Sequence, residues 1–456
     1  MTSALELFLR AAAAHSGRTA VVEASGATSY SQLLAIGRRT AGALRGRGVR
    51  AGRVVAVRCP PGAALLGAQL GVWLHGGIPL LLDPSQPRPR AEKMLQDARP
   101  AALITDGEVE PLDSDLSAAT GDPAYLLYTS GSTGQPKGVL VGHDSFGALI
   151  RWHLAGYRVT AGDTASSVAA PSFDAFQWET WPYLCAGARI CFAPPEVRYA
   201  PWELGAWFAA EGVDLAFLPT PLAEAYVRHG SDFGQLRCLL TGGDRLRLSD
   251  GHPLRRLVNH YGPTEATVLA TSHDVGPAET GEIPIGAPIP SATVILLDEQ
   301  GREASQGELV IGGGCLALGY WGRDGLAVPL PGRPGRWYRT GDLAARRDGT
   351  LRFLGRLDRQ LKVRGARVEP GEIEAVLRGH PLLDDAVVGL DPADGRLLAI
   401  GVSDSGHLHE AELREFAAHR LPPEMVPGRF RVVSELPLTA HGKVDFAALD
   451  EEAACG

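Results

Sequence analysis

No two of the six cysteines, at 59, 185, 191, 238, 315 and 455, stand in C-x-x-C spacing. Scattered thiols of this kind fit reduced cysteines in a cytoplasmic protein. Positive charge is also in short supply. Lys and Arg number 44 against 52 Asp and Glu, for a net charge of -8, and a protein that tracks a phosphate backbone normally shows the reverse balance. Nucleic acid is therefore not expected as a partner, although a nucleotide needs only one or two well-placed cations. No apolar run approaches the roughly 20 residues needed to span a bilayer. The longest candidate, Ala64 to Asp83, is broken by Gly67, Gly71, His75, Gly76, Gly77 and Pro79, so no membrane partner is expected. Met1 to Arg10 lacks a basic stretch followed by an apolar core, so no secretory signal is expected either.

The 456 residues are 45% hydrophobic and 21% charged, the balance of an ordinary globular protein with room for two or three domains. Apolar runs alternate with helical patterns. Gln32–Leu44, Ala63–Trp73 and Phe146–His153 read as helices, and Val54–Val57, Ile78–Leu82, Tyr125–Tyr128, Ala188–Phe192, Leu215–Leu218 and Arg237–Leu240 as strands. That alternation predicts parallel sheets with helices on their faces, an α/β class. After about Gly281 the strands shorten and the helices thin out, as in a β-rich subdomain over 281–356. Asp348-Gly349 is a hairpin signal there. A boundary near Arg356-Leu357-Asp358 separates a large N-terminal domain, 1–356, from a small α+β C-terminal domain, 357–456.

The strongest local signal is Tyr128-Thr129-Ser130-Gly131-Ser132-Thr133-Gly134-Gln135-Pro136-Lys137-Gly138, directly after an apolar strand. Glycine permits the turns that aim successive backbone N–H groups at an anion, and Lys137 adds a point charge for phosphate. The loop lacks the Gly-Lys-Ser/Thr ending of the common P-loop. A second glycine-rich run, Gly312-Gly313-Gly314-Cys315-Leu316-Ala317, follows a strand but opens no helical pattern, so it is discounted as a dinucleotide fingerprint.

This loop resembles the phosphate loop of the adenylate-forming superfamily, which holds acyl-CoA synthetases, luciferases and the adenylation domains of nonribosomal peptide synthetases. Further segments match that family's motifs in order. They are Thr28 to Leu33, Leu74 to Pro79, Phe173-Asp174, Tyr261 to Glu265, Gly307 to Leu309, Tyr338 to Leu343, Gly355 to Lys362, Leu421 to Pro427 and His441 to Asp445. The resemblance implies ATP and Mg²⁺ as cofactors. It implies an attack of a substrate carboxylate on the α-phosphorus of ATP, with pyrophosphate leaving. An α-carboxyl group, with a pKa of about 3.5, needs no base at neutral pH, so catalysis would rest on positioning and charge neutralisation.

Roles carry over by motif. Lys443 would reach the carboxylate and the phosphate oxygens, Thr264 would donate to the α-phosphate, and Glu265 would hold the metal. Nucleotide contacts would come from Thr129, Ser130, Gly131, Ser132, Thr133, Gly134, Lys137, Gly243, Gly262 and Arg356. Tyr261 would stack on adenine and Asp342 would accept from the ribose hydroxyls. Asp358 matches the hinge about which the mobile C-terminal domain rotates. Asp174 matches the residue that pairs with the α-ammonium in amino-acid-activating members. The specificity positions are Asp174, Ala175, Trp178, Phe217, Leu240, Gly242, His260, Val268 and Leu269, with Lys443. Apart from His260 and the charged ends they are apolar, and they resemble a leucine-activating set with His260 and Leu269 as departures. Leucine is thus the first expectation, with isoleucine, valine, methionine or a modified leucine as alternatives. A CoA ligase and a catalytically silent nucleotide-binding protein are the competing readings. Neither a carrier-domain serine motif nor a condensation His-His motif is found, so the expected acceptor is a phosphopantetheine thiol on a carrier protein acting in trans. Whether a small accessory activator protein takes part stays open.

Overall fold

The computed structural model describes residues 2–114, 121–131, 136–229, 233, 236–363, 366–391, 394–403 and 408–433. Six parallel strands form the heart of a nine-stranded sheet. In spatial order they are Leu257–Tyr261, Cys238–Gly242, Leu215–Pro219, Thr164–Ser167, Arg189–Phe192 and Thr19–Glu23. Gly26–Ser29 closes one edge antiparallel, and Thr271–Val275 with Ala287–Pro288 closes the other. Central parallel strands are covered on both faces and read as continuous apolar runs. Leu215–Pro219 and Cys238–Gly242 fit that rule, and Thr164–Ser167 does not, although all four of its residues are buried.

A seven-stranded sheet runs in the order Gly319–Tyr320, Lys137–Gly142, Pro123–Thr129, Ile78–Leu81, Val54–Val57, Ala102–Thr105 and Glu108–Pro111. Helix Ala63–His75 is buried on nearly every side, which explains its unbroken apolar sequence. It packs on helix Tyr30–Gly46, whose start is fixed by reciprocal side-chain and backbone hydrogen bonds between Ser29 and Gln32. The glycines that interrupt the apolar run serve this packing. A Cβ on Gly71 would lie 2.7 Å from the Gly37 carbonyl oxygen. An antiparallel sheet follows, built on Ala292–Leu297, Gln306–Gly313, Arg333–Arg347 and Thr350–Arg356, with no helix among its described residues. After strand Gln306–Gly313 the chain turns at Gly313, φ +100°, and does not enter a helix.

The element directly after the Gly/Ser/Thr-rich loop was not read from the sequence. Strand Lys137–Gly142 stands between that loop and helix His143–Gly156, which contains the run expected at Phe146–His153. Its Val139, Leu140 and Val141 are buried in the sheet.

Two compact units divide the chain. The first contains Met1–Pro84, Ala98–Tyr128 and Gly138–Leu357; the second contains Ser85–Asp97, Thr129–Lys137 and residues from Asp358 onward. Within the second, strands Asp385–Leu390, Leu397–Val402 and Arg429–Val433 make a small sheet accompanied by helices Pro370–Leu377 and Glu410–Ala418. No helix among the described residues is long and apolar enough to cross a membrane.

Candidate active site

The carboxyl-terminal ends of parallel strands are where open α/β sheets bind ligands. In the first unit, Phe217 lies level with Leu240 on the neighbouring strand, and Gly242 lies level with His260 on the next. Because side chains alternate along a strand, these four positions share one sheet face. Gly242 has no room for a side chain, since a Cβ there would sit 2.7 Å from the His260 carbonyl oxygen. Helix Asp174–Ala186 crosses this face. Its Trp178 packs edge-on against Phe217, with ring centroids 5.3 Å apart, and against His260 at 4.9 Å. Leu240, Val268 and Leu269 are buried, and Ala175 is half-buried against the same core.

Asp174 is the first residue of that helix, where the helix dipole favours a carboxylate. The Thr264 hydroxyl donates to its Oδ2 at 2.6 Å. Thr264 opens the short 3₁₀ turn Thr264–Ala266, which follows strand Leu257–Tyr261 after Gly262 and Pro263. Glycine is required at 262 because a Cβ would lie 2.5 Å from the Val268 carbonyl oxygen and 2.6 Å from the Leu269 Cα. The chain is strained just beyond. Thr267 and Val268 both hold positive φ, +54° and +70°, a conformation that β-branched residues rarely adopt. The Thr267 hydroxyl holds the turn, 2.7 Å from the Cys315 carbonyl oxygen and 3.0 Å from the Ser145 hydroxyl.

Glu265 is wholly buried, and Tyr320 donates its hydroxyl to Oε1 at 2.9 Å. Nearby in the same unit, Asp342 holds two partners. Tyr261 donates its hydroxyl to Oδ2 at 2.6 Å, and the Arg356 guanidinium binds Oδ1. Arg356 also reaches the Thr340 carbonyl at 3.2 Å, and the Thr340 hydroxyl accepts from the Asp342 N–H at 3.0 Å. Gly341, at φ +71°, bends the chain between Thr340 and Asp342 and donates its N–H to Glu308. Gly243, φ +96°, turns the chain away from the end of strand Cys238–Gly242.

Sequence profiles of AMP-binding enzymes match residues 8–121 and 113–321, and the profile of the AMP-binding enzyme C-terminal domain matches 372–443. The chain belongs to the AMP-binding enzyme family. It is an adenylate-forming ligase of the nonribosomal peptide synthetase adenylation-domain type. One linear gramicidin synthase subunit from Brevibacillus parabrevis is 38% identical over 475 residues, covering 94% of this chain but only 9% of that protein. The chain therefore spans less than a tenth of that relative's length. A solved NRPS protein containing adenylation and PCP domains, bound to a vinylsulfonamide inhibitor, superimposes with a TM-score of 0.81 at 28% identity, covering 99% of this chain and 84% of that one. A four-domain nonribosomal peptide synthetase bound to AMP and glycine gives a TM-score of 0.70 at 31% identity, over 97% of this chain and 36% of that one.

Not every residue singled out in this AMP-binding enzyme falls in the first unit. Thr129, Ser130 and Lys137 belong to the second, where the Thr129 hydroxyl lies 3.4 Å from the Lys137 carbonyl oxygen and the Ser130 hydroxyl donates to the Arg367 carbonyl at 2.7 Å. Gly131 follows Ser130 in the loop. Asp358 opens the C-terminal part of that unit, and its Oδ1 accepts from the Gln360 N–H at 3.2 Å. Ser132, Thr133, Gly134 and Lys443 lie outside the described residues.

The sequence reading missed the residues that hold this set from behind. Tyr320 supports Glu265, Thr340 supports Asp342 and Arg356, and Tyr157 and His153 back the pocket wall. Glu179 fastens the segment before Asp174. Buried within helix Asp174–Ala186, its carboxyl accepts from the Ser167 hydroxyl and from the N–H groups of Val168 and Ala169 at 2.8–3.1 Å. Burial pushes that carboxyl up to about 7 despite these donors. Tyr320, Tyr157 and His153 meet their partners 55, 103 and 25 residues away, which no local pattern announces, and Thr340 and Glu179 act nearer by along the chain.

Proposed function

We propose that this enzyme activates an aliphatic amino acid, leucine first, as its aminoacyl adenylate, and passes the acyl group to a phosphopantetheine thiol on a carrier protein in trans. The observation that carries this is the position of Asp174. It sits at a helix N-terminus, half-buried, 2.6 Å from Thr264, beside a wall of apolar side chains. A substrate with an α-ammonium can pair with Asp174 while its apolar side chain meets Trp178, Phe217, Leu240 and Leu269. Simple carboxylic acids have no ammonium to offer, which disfavours the acyl- or aryl-CoA ligase alternative. A solved nonribosomal peptide synthetase that is similar to this chain is bound to AMP and glycine, which supports the same reading.

The residues of this chain would divide the work as follows. Asp174 orients the ammonium and so turns the carboxylate toward the nucleotide. Thr264, whose hydroxyl hydrogen goes to Asp174 here, would turn it to the α-phosphate as charge develops there. Asp342 is held rigid by Tyr261 and Arg356, ready to accept from ribose hydroxyls with lone pairs not used by those partners. A single buried carboxylate suits Mg²⁺, which binds through one or two carboxylates plus substrate phosphates and keeps its waters. Glu265 would hold it, and the ion would neutralise phosphate charge. Lys443 is assigned to the carboxylate and phosphate oxygens on its motif. The carrier thiol then attacks the acyl carbon, the acyl–phosphate bond breaks, and AMP leaves. The Asp358 hinge and a cytoplasmic site of action belong to the same proposal, and a requirement for an accessory protein is left to experiment.

The test is amino-acid-dependent ATP–pyrophosphate exchange across all twenty amino acids, with Lys443→Ala as control. Strongest exchange with leucine, lost in the variant, is the expected result. Strongest exchange with a polar or charged amino acid would sink the pocket reading.

A further inference from the structure

Hydrogen bonding and burial together fix the state of two imidazoles, that of His260 in the pocket wall and that of His153 behind it. The Thr241 carbonyl can only accept, and it lies 3.0 Å from His260 Nδ1. Nδ1 therefore carries the hydrogen. Complete burial disfavours the charged ring, so His260 Nε2 is an acceptor, and the Tyr157 hydroxyl donates to it at 2.6 Å. On the other side of the wall, an indole N–H can only donate, and that of Trp178 lies 2.9 Å from His153 Nδ1. His153 is thus the acceptor of Trp178 at that atom, and both imidazoles are neutral. Burial lowers the His260 ring to about 4 and the His153 ring to about 3, in keeping with this assignment. The four rings are one packed group. Tyr157 lies against His153 at 4.8 Å and His260 at 6.1 Å between centroids, and His153 lies 5.7 Å from Trp178.

The consequence is chemical. His260 and Trp178 are the two wall residues whose side chains carry a hydrogen-bonding group, and both groups are turned inward and satisfied. We infer that Tyr157 and His153, neither of which is among the wall residues, are specificity-determining positioning residues: they occupy the polar atoms of His260 and Trp178 so that the pocket offers a substrate side chain only apolar surface. This rests on the amino-acid reading above. A substrate with a polar side chain would then lose its water and find no partner. Such an unmade hydrogen bond disfavours binding by about tenfold or more. The set also separates the tasks of the site, because Asp174 recognises the ammonium and the four rings reject polarity further along the side chain.

Leucine and asparagine have nearly the same shape and differ in polarity, so their ratio of kcat/KM in pyrophosphate exchange reads the effect. Tyr157→Phe leaves the ring in place but frees His260 Nε2 as an acceptor. The leucine-to-asparagine ratio is expected to fall by about tenfold. His153→Leu frees the Trp178 N–H and should lower the ratio too, while His153→Gln, which keeps an acceptor, should restore part of it. A purely structural role would reduce both substrates together and leave the ratio unchanged, and that result would overturn the inference. Absence of exchange with every amino acid in the unaltered enzyme would instead strike the amino-acid reading itself. A measurement free of activity decides the inference in that case or if the variants do not fold. Imidazole ¹⁵N shifts of histidine-labelled enzyme, assigned through a His260 variant, should show His260 neutral with its hydrogen on Nδ1. A hydrogen on Nε2, or a charged ring at neutral pH, would refute it.

Discussion

Removing the Asp342 carboxylate tests how the nucleotide end of the site is built. Its side chain is 5% accessible and that of its partner Arg356 is 10% accessible. Asp342→Ala would take from the buried guanidinium the carboxylate it binds and from the Tyr261 hydroxyl the oxygen it donates to. Breaking a buried pair from one side costs about 3–5 kcal/mol, and a stranded hydroxyl adds about 1–3 kcal/mol, less whatever the two share. The expected loss is therefore about 4 kcal/mol, or about three orders of magnitude in the folded ratio. Asp342→Asn should fall between, because its amide oxygen still accepts from one partner. The double variant Asp342→Leu with Arg356→Met should recover much of the loss, since an apolar pair of similar volume leaves no orphaned charge. Urea unfolding at neutral pH gives these values, read on the transition of the first unit because a two-unit chain need not unfold in one step. A loss below about 1 kcal/mol in Asp342→Ala would mean that water reaches the pair and that the interaction is a surface one. A rigid, preorganised ribose-binding carboxylate would then be refuted.

Three further outcomes follow from the same geometry. Tyr320→Phe removes the donor to the buried Glu265 carboxylate, a bond worth about 1.5–3 kcal/mol. The KM for ATP with Mg²⁺ should rise about tenfold or more, with the KM for the amino acid little changed. Gly262→Ala forces a Cβ against the Val268 carbonyl and the Leu269 backbone, and overpacking of this kind costs about 1–3 kcal/mol; urea unfolding should show the loss and exchange should fall with it. Stability should depend on pH through buried groups of opposite sign. His260 and His153 are held neutral at about 4 and 3 against an ordinary 6.5, so the stability they contribute is present above 6.5 and is lost as pH falls toward those values. Glu179 is raised from 4.5 to about 7, so its contribution runs the other way, largest at low pH and lost as pH rises from 4.5 to 7. Glu179→Gln should therefore make the rise of stability between about pH 4.5 and 7 steeper, and an unchanged slope would place that carboxyl in contact with water.

Apolar runs made much of the fold legible. Val54–Val57 coincides with its strand, Leu215–Leu218 forms as Leu215–Pro219, and the helix expected over Gln32–Leu44 forms as Tyr30–Gly46. Strand Thr164–Ser167 was not legible, because Thr-Ala-Ser-Ser reads as a loop. The Thr164 N–H is met by Asp214 and the Ser167 hydroxyl by Glu179, partners 50 and 12 residues away, which no local pattern announces. The site divides in the same way. Asp174, Thr264, Tyr261 and Asp342 sit in recognisable motifs, and the structure brings Asp174 to Thr264 and Tyr261 to Asp342. The residues that orient them were hidden by distance along the chain. Tyr320 meets Glu265 from 55 residues away, Tyr157 meets His260 from 103, and His153 meets Trp178 from 25. From the sequence, His260 could either meet a polar substrate group or be satisfied by protein neighbours. Only its two partners show that its polarity is already used.

Selection of an amino acid by its ammonium, through Asp174, comes down to one comparison. Pyrophosphate exchange is measured with leucine and with 4-methylpentanoate, the same chain without the amino group, in the unaltered enzyme and in Asp174→Ala. Strong exchange with leucine only, and a large loss of that exchange in the variant, are the expected results. Equal exchange with the two acids, or a variant that still prefers leucine as strongly as the unaltered enzyme, would contradict selection at Asp174.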